Sequence, residues 1–315
     1  MHLVTYLAGR TPRLGAVWHD VVLDLRNLSL DLAAQRHARP SREALLPATM
    51  LELIEAGPGA WARAQAVWDY GRALVDRLEL TDLQRRRVAR RLPRTRLLAP
   101  IPRPRKNVFC MGRNYAEHAA ERGAAPPERP VFFTKPPTAV VGPGAPIVHH
   151  AVTQALDYEV ELAAVVGRAG RDLDPETALS HVFGYTVLND VTARDLQKAH
   201  QQWFKGKSLD TFCPMGPVLV TADEVLDPQA LGIRLRVNGE TRQEATTAQM
   251  IFGVAELLAA LSAGMTMEPG DVLATGTPSG VGAASGAYLK AGDLVEAEID
   301  GLGVLANRVV APDQA

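Results

Sequence analysis

The sequence predicts an α+β protein: a β-rich domain built on a mixed, rolled sheet over residues 101–315, preceded by a smaller α/β domain over residues 1–100. Three features of the chain predict it. Short apolar runs bounded by turn residues recur along most of its length, helical stripes concentrate in the first hundred residues, and a proline-rich connector separates the two textures.

Taken in order, residues 3–8, 13–18 and 21–26 are apolar runs separated by Gly9-Arg10-Thr11-Pro12 and His19-Asp20, the pattern of a small β-meander. Residues 41–56 and 60–79 then turn helical. Leu45, Leu46, Met50, Leu53 and Ile54 form one stripe, and Trp61, Ala64, Val67, Trp68, Leu74, Val75 and Leu78 form the next. The seven arginines between Arg85 and Arg96 have no interleaved aromatics, so they read as a solvated helix end rather than a nucleic-acid patch. Prolines 93, 100, 102 and 104 mark the connector, and the domain boundary falls near residue 100. Beyond it, Val108–Met111, Val131–Thr134, Tyr158–Val166, Gly184–Asn189, Val218–Thr221 and Ile233–Val237 read as strands. Asn238-Gly239 and Asp300-Gly301 are hairpin signals. Helices are expected over 115–122, 175–180, 192–202 and 250–262, the third capped by Thr192 or its neighbour.

Composition narrows the function classes. Of 315 residues, 47% are hydrophobic and 22% charged, which is ordinary for a folded globular chain. A formal net charge of −1 gives no global field toward nucleic acid or a membrane surface. No stretch approaches the length of a spanning helix, and no signal peptide is visible at Met1-His2-Leu3. Cys110 and Cys213 lack CxxC spacing and lie in apolar runs, so they are expected as reduced, buried thiols in a cytoplasmic protein.

Two acidic sites break this ordinary pattern. Leu156-Asp157-Tyr158-Glu159-Val160-Glu161-Leu162 and Leu188-Asn189-Asp190-Val191-Thr192 place carboxylates inside apolar runs. In a strand, Glu159 and Glu161 share a face. Buried side by side, they repel and lose solvation, at several kcal/mol for each uncompensated ion. A divalent cation is the simplest compensation, and an all-oxygen donor set favours Mg²⁺, Mn²⁺ or Ca²⁺ over zinc.

Four further motifs accompany the acids. Asn114-Tyr115-Ala116-Glu117-His118-Ala119-Ala120-Glu121 is a short helix that puts His118 and Glu121 on one side. Gly206-Lys207-Ser208 precedes a Cys-Pro-Met-Gly-Pro run; it is no phosphate loop, because Gln201 stands where that loop needs glycine. Thr275–Gly282 is a Gly-rich turn after a strand, without the lysine or helix of a phosphate cradle. Asp190–Gln197 carries the third acid into a helix. His149 and His150 point apart on a strand and read as surface residues, and Trp203-Phe204 read as core or a dimer seam.

These motifs, in this order with KPPTAVVGPG, VNGETRQ and MIF, resemble the fumarylacetoacetate hydrolase superfamily in its shorter, bacterial-type form, over roughly residues 105–310. The resemblance implies a Mg²⁺ or Mn²⁺ enzyme acting on small 2-oxo acids, commonly a homodimer. Carried over by position, Glu159, Glu161 and Asp190 are the metal ligands, and His118 with Glu121 on a mobile lid activates water. Lys207 stabilises the developing enolate, and Arg113, Tyr115, Gln197 and Thr277 contact substrate. Longer members carry an aspartate ligand seven positions before the histidine; here that residue is Met111, which leaves the position to water. The leading expectation is hydrolysis of a C–C bond in acylpyruvate-type 2,4-dioxo acids, releasing pyruvate or a near relative and a carboxylic acid. The alternative keeps the same cation and enolate without attacking water: decarboxylation or isomerisation of a 2-oxo acid, of the oxaloacetate type or the hydroxymuconate type of aromatic catabolism. From another class, the chain would be a metal-binding protein without turnover.

Overall fold

The computed structural model describes residues 1–35, 45–121, 123 and 125–314. A twelve-stranded mixed sheet forms its backbone. The strand Val160–Val166 sits centrally, antiparallel to Val182–Asn189 on one side and to Val272–Ala274 on the other. Val272–Ala274 runs parallel to Val108–Gly112, which pairs with Val131–Lys135 at the edge. On the far side, Cys213–Thr221 joins Val182–Asn189 to the first strand of the chain, His2–Ala8, through the register Leu3↔Leu219. The expected meander is present as His2–Ala8, Thr11–Trp18 and Val21–Asp24. It extends this sheet, so hydrogen bonding runs unbroken across the two parts of the chain.

A second, five-stranded sheet contains the hairpins Gly232–Val237/Glu240–Thr246 and Leu294–Ile299/Gly303–Val310. Asn238 and Gly239 both have positive φ, as a tight two-residue turn requires. The two sheets enclose one apolar core. The N-terminal helices cover the opposite face of the large sheet and close a second.

This double covering explains the central strand. All seven residues of Val160–Val166 are buried. Leu162, Ala164 and Val166 enter the first core, while Ala163 and Val165 enter the second. A strand buried on both faces reads as a continuous apolar run, so Glu161 is an acid among groups that otherwise avoid charge.

Several boundaries differ from expectation for identifiable reasons. Leu156–Asp157 pairs with Thr192–Ala193, so the run expected as one strand from Tyr158 bends, and the regular ladder starts at Val160. That pairing also delays the helix expected from 192, which spans Arg194–Ala199. Thr192 does not cap it, because its hydroxyl donates to Asp190 O at 2.9 Å. Met250–Phe252 lies outside the helix Val254–Ser262, and the expected 175–180 helix is a 3₁₀ turn at Ala178–His181. In the N-terminal part, Thr49 and Glu52 form a capping box that starts the helix Met50–Glu55, and Gly57–Val75 follows. Residues 41–44 of the expected first helix lie outside the described residues. Among the described residues, no helix is long and apolar enough to cross a membrane.

Asn114 locks three segments together. Its Nδ2 donates to Thr275 O (2.7 Å) and Phe252 O (3.0 Å), and its Oδ1 accepts from Phe252 N (2.9 Å). Asn114→Ala should therefore lower unfolding stability by about 2–4 kcal/mol, since buried backbone groups lose their partners. Denaturant titration checks this, with an unchanged slope expected.

Candidate metal centre and active site

The bend before Val160 turns Glu159 inward, where Asn189 Oδ1 accepts from Glu159 N (3.0 Å) and Glu159 O accepts from Asp190 N (2.8 Å). The register Glu161↔Leu188 brings the end of the neighbouring strand alongside. As a result Glu159, Glu161 and Asp190 offer carboxylate oxygens that all lie within 4.8 Å of one another, each side chain buried.

Cationic side chains compensate two of the three. Lys207 Nζ donates to Glu159 Oε2 (2.6 Å) and Asp190 Oδ2 (2.7 Å), and Arg194 Nη2 donates to Glu159 Oε1 (2.6 Å). Lys135, fully buried, pairs with Asp190 and donates to Val191 O at 3.1 Å. Burial alone would raise Glu159, but Lys207 and Arg194 outweigh it and hold the carboxyl well below the usual carboxylate range. The sequence reading left all compensation to a metal; protein cations supply much of it.

Glu161 is the exception. Its one hydrogen bond among the described residues comes from Gly276 N, at 2.8 Å. Burial pushes its carboxyl well above the usual range, and the charges of Asp190 and Glu159 add to the push. A buried acid without a cationic partner, beside two other carboxylates, is the donor set that an oxygen-seeking divalent cation fits.

The triad opens on a cavity of roughly 390 Å³ that Glu159 and Glu161 line from within. His118, Lys207, Gln197, Thr277 and Arg113 line it too, so most of the expected site residues face one space. His118 is buried on the helix Ala116–Glu121, its Nδ1 3.6 Å from Glu121 Oε2 and without a hydrogen bond. Burial lowers its pKa, which keeps the imidazole neutral near pH 7. Glu121 is mainly a tether: its Oε1 accepts from Gly280 N (2.9 Å), and Glu117 accepts from Ser279 Oγ (3.1 Å). The His118 helix is thereby fastened to the Gly-rich turn. Thr277 Oγ1 donates to Val160 O and accepts from Gln243, so its hydroxyl already has partners. Tyr115 is buried behind the site, its hydroxyl unpartnered. Met111 stands buried on the cavity wall.

Four contributors went unnoticed in the sequence. Asp157 accepts from Arg194 Nε (2.8 Å) and from Gly282 N and Ala283 N (2.7 and 3.0 Å), joining three segments at one carboxylate. Its signal was the Asp157-Glu159-Glu161 alternation. Arg194, four residues after Asp190, and Lys135, the polar end of an apolar strand, were visible only as ordinary charges. Trp203 was expected in the core or a dimer seam; it is half-buried and lines the cavity, packed edge-on against Phe133 at 5.5 Å.

Comparison with known proteins bears on the same segments. The fumarylacetoacetate (FAA) hydrolase C-terminal family model matches residues 107–310. The chain belongs to the fumarylacetoacetate hydrolase family. Among family members, oxaloacetate tautomerase YisK of Bacillus subtilis is 45% identical over 269 residues, covering 84% of this chain and 87% of that protein. The fumarylacetoacetate hydrolase of Exiguobacterium antarcticum is 42% identical with a TM-score of 0.77, over 99% of both chains. A 2-hydroxyhepta-2,4-diene-1,7-dioate isomerase of Mycobacterium marinum is 42% identical with a TM-score of 0.63, over 71% of this chain and 81% of that one. The family match spans every site segment described above, from Met111 to Ala283.

Because Glu161 has no cationic partner among the described residues, Glu161→Gln should stabilise the chelator-treated protein, by on the order of 1 kcal/mol. The same change should remove the stabilisation that Mn²⁺ or Mg²⁺ gives the parent protein. Thermal melts with chelator and with excess cation check both halves.

Proposed function

We propose that the chain is a divalent-cation-dependent keto–enol tautomerase of a 2-oxo acid of the oxaloacetate class. This is the non-hydrolytic reading of the site rather than the C–C hydrolysis that motif order first suggested. The observation that carries it is the meeting of three buried carboxylates, Lys207 and a neutral His118 around one cavity. The name carried by the Bacillus subtilis relative supports the same reaction class.

Tautomerisation breaks one C–H bond at the carbon beside the 2-oxo group and forms one O–H bond at its oxygen, or the reverse, with no carbon–carbon bond broken. Glu159, Glu161 and Asp190 would hold Mg²⁺ or Mn²⁺, which when bound supplies Lewis acidity toward the 2-oxo oxygen. His118 is the proton carrier at carbon, since a buried, neutral imidazole accepts and returns a proton within one turnover. Lys207 offers a fixed positive charge to the oxygen that gains negative character. The tethers from Glu121 to Gly280 and from Glu117 to Ser279 fasten the His118 helix to the Gly-rich turn. All these groups come from residues 101–315, and residues 1–100 act as a smaller supporting domain.

A second reading is hydrolysis of a 2,4-dioxo acid, favoured by Glu121 lying 3.6 Å from His118, where it can orient the ring toward a water. Products separate the two. With oxaloacetate in D₂O, the metal-loaded protein should speed ketonisation of the enol and exchange of deuterium at the carbon beside the 2-oxo group. His118→Gln should slow both by roughly 10²–10⁴-fold and leave the cation-dependent melting shift in place. The rate should persist below the ordinary imidazole value of about 6.5 and fall only at lower pH, because burial depresses the His118 pKa. Acetylpyruvate cleavage to pyruvate and acetate that outpaces ketonisation would overturn the proposal in favour of hydrolysis. Absence of any turnover would leave a metal-binding protein.

A further inference from the structure

We propose that the N-terminal part of the chain carries an anion site, built from Arg13, Arg87 and Arg90, that takes the phosphate group of a small phosphorylated molecule. It stands apart from the acidic triad and does not rest on the reaction proposed above. In the large sheet, His2–Ala8, Cys213–Thr221 and Val182–Asn189 separate the strand that carries Arg13, Thr11–Trp18, from the central strand.

The arginine-rich run supplies two of the three cations. Of its seven arginines, Arg85, Arg86 and Arg91 pair with Asp82, Asp31 and Asp20. Arg87 and Arg90 have no carboxylate within ion-pair distance among the described residues. Both line a cavity of roughly 510 Å³ together with Arg13, Asn27, Gln84 and Ala89. That volume is in the range of small-ligand sites.

Each cation has its own support. Arg87 follows the helix Leu80–Arg85, where Arg87 N donates to Gln84 O (2.9 Å) and Val88 N to Leu83 O (3.1 Å). Glycine ordinarily takes this capping place, and the φ of 61° at Arg87 lies in the left-handed region that disfavours a side chain. Arg90, on the strand Ala89–Arg91, lies 5.6 Å from the centroid of the buried Tyr6 ring. The Tyr6 hydroxyl donates to the buried Asp24, which pairs with Arg13 Nε at 3.0 Å. Asn27 closes the network: its Oδ1 accepts from Arg13 Nη2 (2.9 Å), and its Nδ2 donates to Arg87 O (2.7 Å).

This network selects the ligand. Three guanidiniums from three segments are set against one carboxylate, Asp24, which leaves two positive charges beside the cavity. A phosphate monoester carries nearly two negative charges at neutral pH and offers three oxygens to donors that come from several directions. A planar carboxylate is satisfied by a single arginine fork. A recess without an exposed aromatic platform suits a small molecule rather than a nucleic-acid strand.

Calorimetry on the Mg²⁺-loaded full chain tests this with glycerol 3-phosphate as the probe and sodium chloride at matched ionic strength as the blank. One saturable site per chain is expected. Arg87→Gly, which suits the φ there and preserves the fold, and Arg90→Met should each weaken binding about tenfold or more. Arg91→Met, outside the cavity, and Arg113→Met, in the catalytic cavity, should leave binding in place. Absence of binding above the chloride blank would overturn the proposal, as would equal binding of malonate. Loss of binding in Arg113→Met would place the anion in the catalytic cavity instead. Tighter binding of a DNA oligonucleotide, weakened equally by Arg91→Met, would replace the site with a nucleic-acid surface.

Discussion

An imbalance of buried charge organises this molecule. Asp157, Glu159, Glu161 and Asp190 are all buried, and Lys135, Arg194 and Lys207 face them as buried counter-charges. Four acids against three cations leave Glu161 without a cationic partner among the described residues. Taking such groups out of water is costly, and it is tolerated only where geometry and hydrogen bonds are well satisfied. The sheet provides that geometry: the central strand carries Glu161 and the bend before it Glu159, the neighbouring strand delivers Asp190, and the edge strand ending at Lys135 brings the cation that pairs with it.

The same constraint accounts for features that look unrelated. Asp157 is held by two backbone amides of the segment Gly282–Ser285 as well as by Arg194, so the Gly-rich turn is tied to the acidic strand. Gln243, from the smaller sheet, bonds Val160 N, Thr277 Oγ1 and Pro278 O, which fixes the turn to the second layer. Asn114 then binds the turn to the base of the His118 helix. Each link is a buried, satisfied polar group, and together they hold the His118 imidazole and the carboxylates in one frame.

Part of this was legible in the sequence, and the division follows the range of the interactions involved. Alternation alone put Glu159 and Glu161 on one face, because strand periodicity is local. Motif order brought Asp190, His118 and Lys207 into the same site, although their contacts span dozens of residues. Charge compensation was not legible: nothing in the string pairs Lys135 with Asp190, or Arg194 with Asp157 and Glu159. Long-range pairing also moved the boundaries, as where Thr192–Ala193 forms a strand and displaces the expected helix start to Arg194. Trp203 shows the same limit. An apolar ring beside Phe204 reads as core or a dimer seam, and it is the fold that places it on the cavity wall, close against Gly112.

The most direct measurement is anomalous diffraction from crystals of the protein loaded with Mn²⁺. The account predicts one strong peak within coordination distance of Glu159, Glu161 and Asp190, with the Glu161 carboxylate turned to it. A map with no peak there, in crystals of protein whose turnover persists in excess chelator, would contradict it.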